Sequence, residues 1–247
     1  MLNLLKSAAP LSKEQHGKTY LETGQGYNFA RDMSFVPTVV SELPQLISDY
    51  TVAFLERKGK IALVALLGLK EGENLYLNAD GSWAADYVPA LFRQYPFAAM
   101  LAGEGDKRKG ILCIAENFSG LNSKGKGIAL FDESGAASQL VEAAQKMATS
   151  LANGALRTET FCANLQKHNL LRPMRASFKS SSGEERRISG ILAVDRTALD
   201  VISAKALKEL QASGDLEFIY LHLASMQNLR KMGTRISATA AKSEKLN

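Results

Sequence analysis

The chain has 247 residues, 46% of them hydrophobic and 22% charged, with a formal net charge of +5. That length supports one large domain or two small ones with a real core, and the composition excludes disorder for most of the chain. The basic residues are scattered, and the densest clusters, "DKRKG" (106–110) and "EERR" (184–187), contain acids as well, so nucleic acid is not the expected partner.

The N-terminal stretch "MLNLLKSAAPLSKEQ" lacks the apolar run of a secretory signal. The longest apolar run, Ile61–Leu69, is too short to span a bilayer. The expectation is a soluble chain without a transmembrane segment. It is cytoplasmic as synthesised and reaches a surface only by a signal-independent route. From this start to about residue 30 the chain is polar and Gly-rich and reads as a loop leading into a short strand, with residues 1–9 as a lead. "FVPTVVSELPQLISDY" then reads as a helix, with Pro37 in its first turn and Val39, Val40, Leu43, Leu46 and Ile47 at helical spacing. Pro44 should kink or restart it.

"YTVAFLERKGKIALVALLGL" (50–69) predicts a hairpin around a polar turn. "ENLYLNADGSWAADY" predicts a strand and a tight turn, because Asn, Asp and Gly each tolerate turn dihedrals. "YVPALFRQYP" predicts one short helix capped by Asp86 and ended before Pro96. A second hairpin follows across "FAAMLAGEGDKRKGILCIAEN", then loop, short strand and turn in "LNSKGKGIALFDESG". From about Ala136 to His168 the pattern is helical, as one long bent helix or two in succession, with Gly154 between the stripes. A third hairpin turns at "SSSGEE". Two helices follow, the first with Ser203 as N-cap and Gly214 as its stop. Residues 233–247 carry almost no apolar content and read as a mobile tail. Hairpins alternating with blocks of helix favour an α+β fold, with antiparallel β-hairpins packed against helices in a single domain from about residue 10 to 232.

Cys113 and Cys162 sit in apolar settings without a CxxC spacing, which points to two buried thiols and a reducing compartment. His16, His168 and His222 form no HExxH or HxH pair, there is no GxSxG elbow, and "GLNSKGKG" has the wrong spacing for a phosphate loop. No metal and no cofactor is expected. His16 reads as a loop histidine, His168 as a cation at a helix C-terminus, and His222 as a histidine beside the core. The remaining candidate is the segment around the only Trp. Trp83, Tyr87, Arg93 and Tyr95 form a candidate binding patch, set against the alternative that Trp83, Phe92 and Phe97 pack an aromatic corner. The enzymatic alternative is a reaction using His16 or His222 with a nearby carboxylate.

The ordered segments "PLSKEQHGK", "FVPTVVSELPQLISDYTVAF", "ALLGLKEGENLYLNADGSWAADYVPALFRQYPF", "LFDESGAAS", "RTETFCANLQKHNLLRPM" and "GDLEFIYLHLASMQNLRKM" resemble the bacterial SapC family over roughly residues 10–232. That family takes its name from a protein linked to a bacterial surface layer. The resemblance therefore implies association with an S-layer or the cell envelope. It also implies a role beside TonB-dependent receptors and tryptophan-halogenase-like proteins, near which members are encoded. It supplies no catalytic residues. The implied function is a non-enzymatic accessory protein with a protein partner, and self-association is a third outcome to test.

Overall fold

Alternating side chains in the three expected hairpins do produce antiparallel ladders. The computed structural model describes residues 3–103, 108–179 and 185–244. In chain order it contains β1 (Ala8–Pro10), α1 (Lys13–His16), β2 (Tyr20–Leu21), β3 (Phe35–Pro37), α2 (Leu43–Leu46), β4 (Val52–Arg57) and β5 (Lys60–Leu66). Next come α3 (Ala90–Gln94), β6 (Phe97–Ala102), β7 (Lys109–Ala115), β8 (Leu121–Asn122), β9 (Ile128–Ala129) and α4 (Gln139–Lys167). The last elements are β10 (Leu171–Lys179), β11 (Glu185–Val194), α5 (Arg196–Asp200), α6 (Ala204–Ala212), α7 (Asp215–Ser225) and α8 (Asn228–Glu244). The hairpins are β4–β5, β6–β7 and β10–β11. Every strand pair is antiparallel, and the architecture is α+β.

The chain divides into two compact units. One takes the described residues up to Phe29, Ala79–Ser82 and Ala90–Gly154; the other takes Ala30–Asn78, Trp83–Pro89 and the described residues from Ala155 onward. The segments alternate along the sequence, so neither unit is one continuous piece of chain.

In the first unit β7 lies between β1 and β6, and β2 lies between β8 and β9. Its core joins Leu21, Phe97, Leu112, Ile114 and Leu130 to Val141, Ala144 and Ala148. The last three recur every three or four residues and form one face of α4. Gly110 lets β7 run close to that helix, since a Cβ there would stand 2.6 Å from the Ala152 Cβ.

In the second unit five strands run in the order β10-β11-β4-β5-β3. Consecutive side chains of a strand point to opposite faces, and helices cover both. Ala53, Val64, Leu66 and Ile191 pack with Met232 and Ile236 of α8. On the other face the Phe54 ring lies 6.1 Å from Phe161 of α4 and 5.0 Å from His222 of α7.

Several local expectations need correction. The first 30 residues are not simply loop, and the lead is not separate from the fold: Ala8 and Ala9 pair with Ala115 and Ile114. Strands of two or three residues have too little pattern of their own to be seen without their partners. Phe35–Pro37 joins β5 as strand β3, and the helix expected from Pro37 begins at Leu43, with Pro44 in its first turn. The strand expected in "NLYL" is an isolated bridge between Leu77 and Trp83. Helix α3 starts at Ala90, so Asp86 stands too far upstream to cap it. Of the two forms expected for Ala136–His168, the single long helix holds: α4 runs 29 residues through Gly154. The segment from Gly233, expected as a mobile tail, continues α8 to Glu244, and Ile236 is buried. Residues 104–107 of the charged loop, residues 180–184 of the third turn and the last three residues, 245–247, lie outside the described residues.

Candidate functional site

The loop from Leu67 to Leu77 is closed at its base by the Leu75 N–H donating to the Leu67 carbonyl at 2.8 Å. It carries Tyr76 into the second unit, where Tyr76 and Tyr50 are both fully buried. Their rings stack with centroids 4.6 Å apart. Trp83 continues the stack at 6.2 Å from Tyr76 and 17° from parallel. Each polar tip has a partner, as buried aromatic residues require. The Trp83 Nε1–H donates to Tyr50 Oη at 2.6 Å, Tyr50 Oη donates to the Tyr87 carbonyl at 2.5 Å, and Tyr76 Oη donates to the Asp49 carbonyl at 2.7 Å. Burial pushes the phenol pKa of both Tyr50 and Tyr76 well above the ordinary value. They are hydrogen-bond donors at neutral pH, not nucleophiles.

Two ionic groups complete this corner. The Arg235 guanidinium of α8 lies 4.4 Å from the ring centre of the buried Tyr76, a cation–π contact, and donates to the Ala84 carbonyl at 2.9 Å. The buried Glu42 carboxylate accepts from Tyr87 Oη at 2.9 Å, Thr38 Oγ1 at 2.7 Å and the Val39 N–H at 3.3 Å. Trp83 and Tyr87 are therefore brought together, through Tyr50. Arg93 and Tyr95 belong to the first unit. Arg93 is exposed in the last turn of α3. Tyr95 is half-buried, 4.4 Å from the Phe29 ring and 5.2 Å from the Phe118 ring, and burial raises its phenol pKa.

Sequence reasoning did not single out Tyr50, Tyr76, Glu42 or Arg235. For Arg235 a signal was present: Leu229, Met232 and Ile236 continue helical spacing past Gly233. Tyr50 and Tyr76 had none, because each is recruited by residues far along the chain; Glu42 has two local partners, Thr38 and Val39, and only Tyr87 is distant.

The histidines resolve into three structural situations. His222 is fully buried, and its Nε2 accepts the Val194 N–H at 3.0 Å. Burial pushes its pKa down to about 4, partly offset by the Val52 backbone. His16 is buried at the end of α1 rather than exposed in a loop. Its Nδ1 stands 3.2 Å from the Ser12 carbonyl and its Nε2 3.6 Å from Glu116 Oε1. His168 follows α4, with Nε2 3.5 Å from Glu209 Oε2, which also accepts from Lys167 Nζ at 2.8 Å. Both cysteines are buried thiols. Burial raises the pKa of Cys113, and burial followed by Asp215 and Glu159 pushes that of Cys162 up to about 12. Among the described residues no group of three or more His, Cys, Asp or Glu could hold a metal ion, and no helix is long and apolar enough to cross a membrane.

No curated protein and no solved structure matches this chain. The SapC family profile matches residues 11–232, from the residue after β1 to the buried Met232 of α8. With nearly all of both units inside that match, the chain belongs to the SapC family.

Proposed function

We propose that this protein is a non-enzymatic binding or accessory protein that works with a protein partner at the bacterial cell envelope, at a surface layer or beside TonB-dependent uptake. SapC membership supports the envelope association. The observation that carries the non-enzymatic reading is the state of His222. A ring held neutral down to about pH 4, with Nε2 occupied by the Val194 N–H, is not poised to move protons near neutrality. Recognition falls to the exposed Arg93 and the adjacent Tyr95, since Arg and Tyr are frequent binding anchors.

The test is cross-linking in the native cell followed by fractionation, with the wild type beside Arg93→Glu. The wild type should be recovered with envelope proteins, and the charge reversal should reduce that recovery at least tenfold in protein that circular dichroism shows to be folded. Wild-type protein found only uncross-linked in the soluble fraction would sink the reading. The enzymatic alternative rests on His16, whose Nε2 lies in ion-pair range of Glu116. Under that alternative His16→Gln abolishes function and leaves the cross-links intact.

A further inference from the structure

The five-stranded sheet of the second unit is joined thinly at one place. β4 pairs with β5 along all of Val52–Arg57, and β10 pairs with β11 from Leu171 to Lys179. Between β11 and β4 the described residues form one pair, Leu192 opposite Phe54. On one side of that pair Gly190 has φ +76°, outside the extended region, and the ladder does not continue to Glu56. On the other side the next opposed residues are Val194 and Val52, two steps along each antiparallel strand.

The backbone groups of these two valines point at each other's strand. The Leu66 N–H donates to the Thr51 carbonyl at 2.9 Å, so residue 51 faces β5, and alternation turns Val52 toward β11. The Asp195 N–H donates to the Leu170 carbonyl at 2.8 Å, so residue 195 faces β10 and Val194 is turned toward β4. Yet neither N–H goes to the other strand. His222 Nε2 takes the Val194 N–H at 3.0 Å, and Ser225 Oγ takes the Val52 N–H at 3.1 Å. Both side chains are fully buried. They stand three residues apart on one face of α7, so the helix supplies the rung that the two strands do not make.

From this arrangement we infer that His222 is a proton-operated clasp: the neutral ring holds β11 to β4 through α7, and protonation of the ring opens that joint locally. A ring nitrogen that accepts carries no proton, so the neutral ring has its proton on Nδ1. A proton taken from solvent then adds to Nε2 and faces the Val194 N–H, donor against donor. Ser225 cannot compensate, because its hydroxyl already accepts from Val52 and donates to the His222 carbonyl at 2.6 Å. The charges on the surrounding elements are Asp215 with Arg157 of α4, Glu217 on α7, Lys205, Lys208 and Glu209 on α6, and Glu56, Arg57 and Glu185–Arg187 at the far ends of β4 and β11. None of them shifts the ring: burial lowers its pKa to about 4, opposed only by the Val52 backbone. The opening is therefore a response to acid. It stays local because Met174, Phe178, Ile188 and Ile191 of the hairpin remain packed with α8. The clasp goes beyond the accessory function and stands whether or not that reading holds.

The experiment is amide hydrogen exchange of the full chain, expressed as protection factors, between about pH 7 and about pH 4. Val194 and Val52 report the joint. Ala193 and Ala53, which face β10 and β5, report the neighbouring ladders. Protection at Val194 and Val52 should fall at least tenfold more than at the two alanines. In His222→Gln the amide oxygen can accept the Val194 N–H and takes no proton, so the difference should vanish. The wild type carries a second measurement, in case that variant does not fold: the His222 Nε2 nitrogen shift should titrate with the same midpoint as the loss of protection at Val194. Unchanged protection at the joint, equal loss at all four amides, a loss that persists in His222→Gln, or separate midpoints would each overturn the proposal.

Discussion

Trp83 shows how one side chain can look like a binding anchor in the sequence and be tied inward in the fold. It stacks on Tyr76 and donates to Tyr50. Because Trp83 is half-exposed, Trp83→Ala should cost about 3 kcal/mol, the lower end for aromatic truncation. Trp83→Phe retains the stack and should cost about 1 kcal/mol for the lost hydrogen bond. Urea unfolding followed by circular dichroism measures both, since the variants remove the only Trp. His222 makes a second prediction at this scale. Its ordinary pKa near 6.5 falls to about 4 in the fold, so below pH 6.5 the unfolded chain takes up a proton that the folded chain refuses. The stabilisation is complete above about pH 6.5, is lost as pH falls toward 4, and amounts to roughly 3 kcal/mol. His222→Gln should flatten that part of the stability–pH curve; an unchanged slope would place the dependence elsewhere.

Two helices of the second unit are joined by a buried ionic contact. Asp215, in the first turn of α7, is fully buried and takes Arg157 Nη2 of α4 at 2.5 Å and Asn164 Nδ2 at 2.6 Å. Arg157 also donates to the Ser213 carbonyl at 2.8 Å and lies 5.1 Å from the Phe218 ring centre. Gly214, with φ +75°, lets the chain turn from α6 into this position. The two partners are unequally buried, with side-chain exposures of 33% for Arg157 and 0% for Asp215. Arg157→Ala leaves a buried carboxylate held by Asn164 alone and should cost about 3–5 kcal/mol. Asp215→Asn leaves the arginine access to water and should cost less. Equal losses in denaturant unfolding would refute that asymmetry. In α8, Ile236 stands in the core, so Ile236→Ala should lower stability by about 2–4 kcal/mol, where a mobile tail would show no change.

At the scale of the whole molecule, the chain passes between its two units repeatedly, and α4 contributes its first half to one and its second half to the other. This connectivity should make unfolding one cooperative event. Each unit carries a buried thiol, Cys113 in the first and Cys162 in the second. Their reactivity with a thiol reagent across a urea series should rise at the same midpoint. Separate midpoints would show that the units unfold independently.

The hairpins were legible in the sequence because alternation of apolar residues is a local property that burial of one face enforces. Ser203 was legible for a similar reason: its hydroxyl accepts from the Ala206 N–H at 3.2 Å, three residues away. Family membership was legible too, because it rests on ordered blocks of residues rather than on any contact. The rest depends on partners distant in sequence. Ala8–Pro10 becomes a strand only beside β7, and Phe35–Pro37 only beside β5. Residues 233–244 become an ordered helix extension because Met232 and Ile236 find Ala53, Val64 and Ile191. The same holds at the candidate site. Trp83 could be picked out from its rarity, but its orientation was decided by Tyr50, Tyr76 and Arg235. An aromatic ring has the same composition whether it faces solvent or core, and only the tertiary neighbours that accept its N–H and cover its faces determine which.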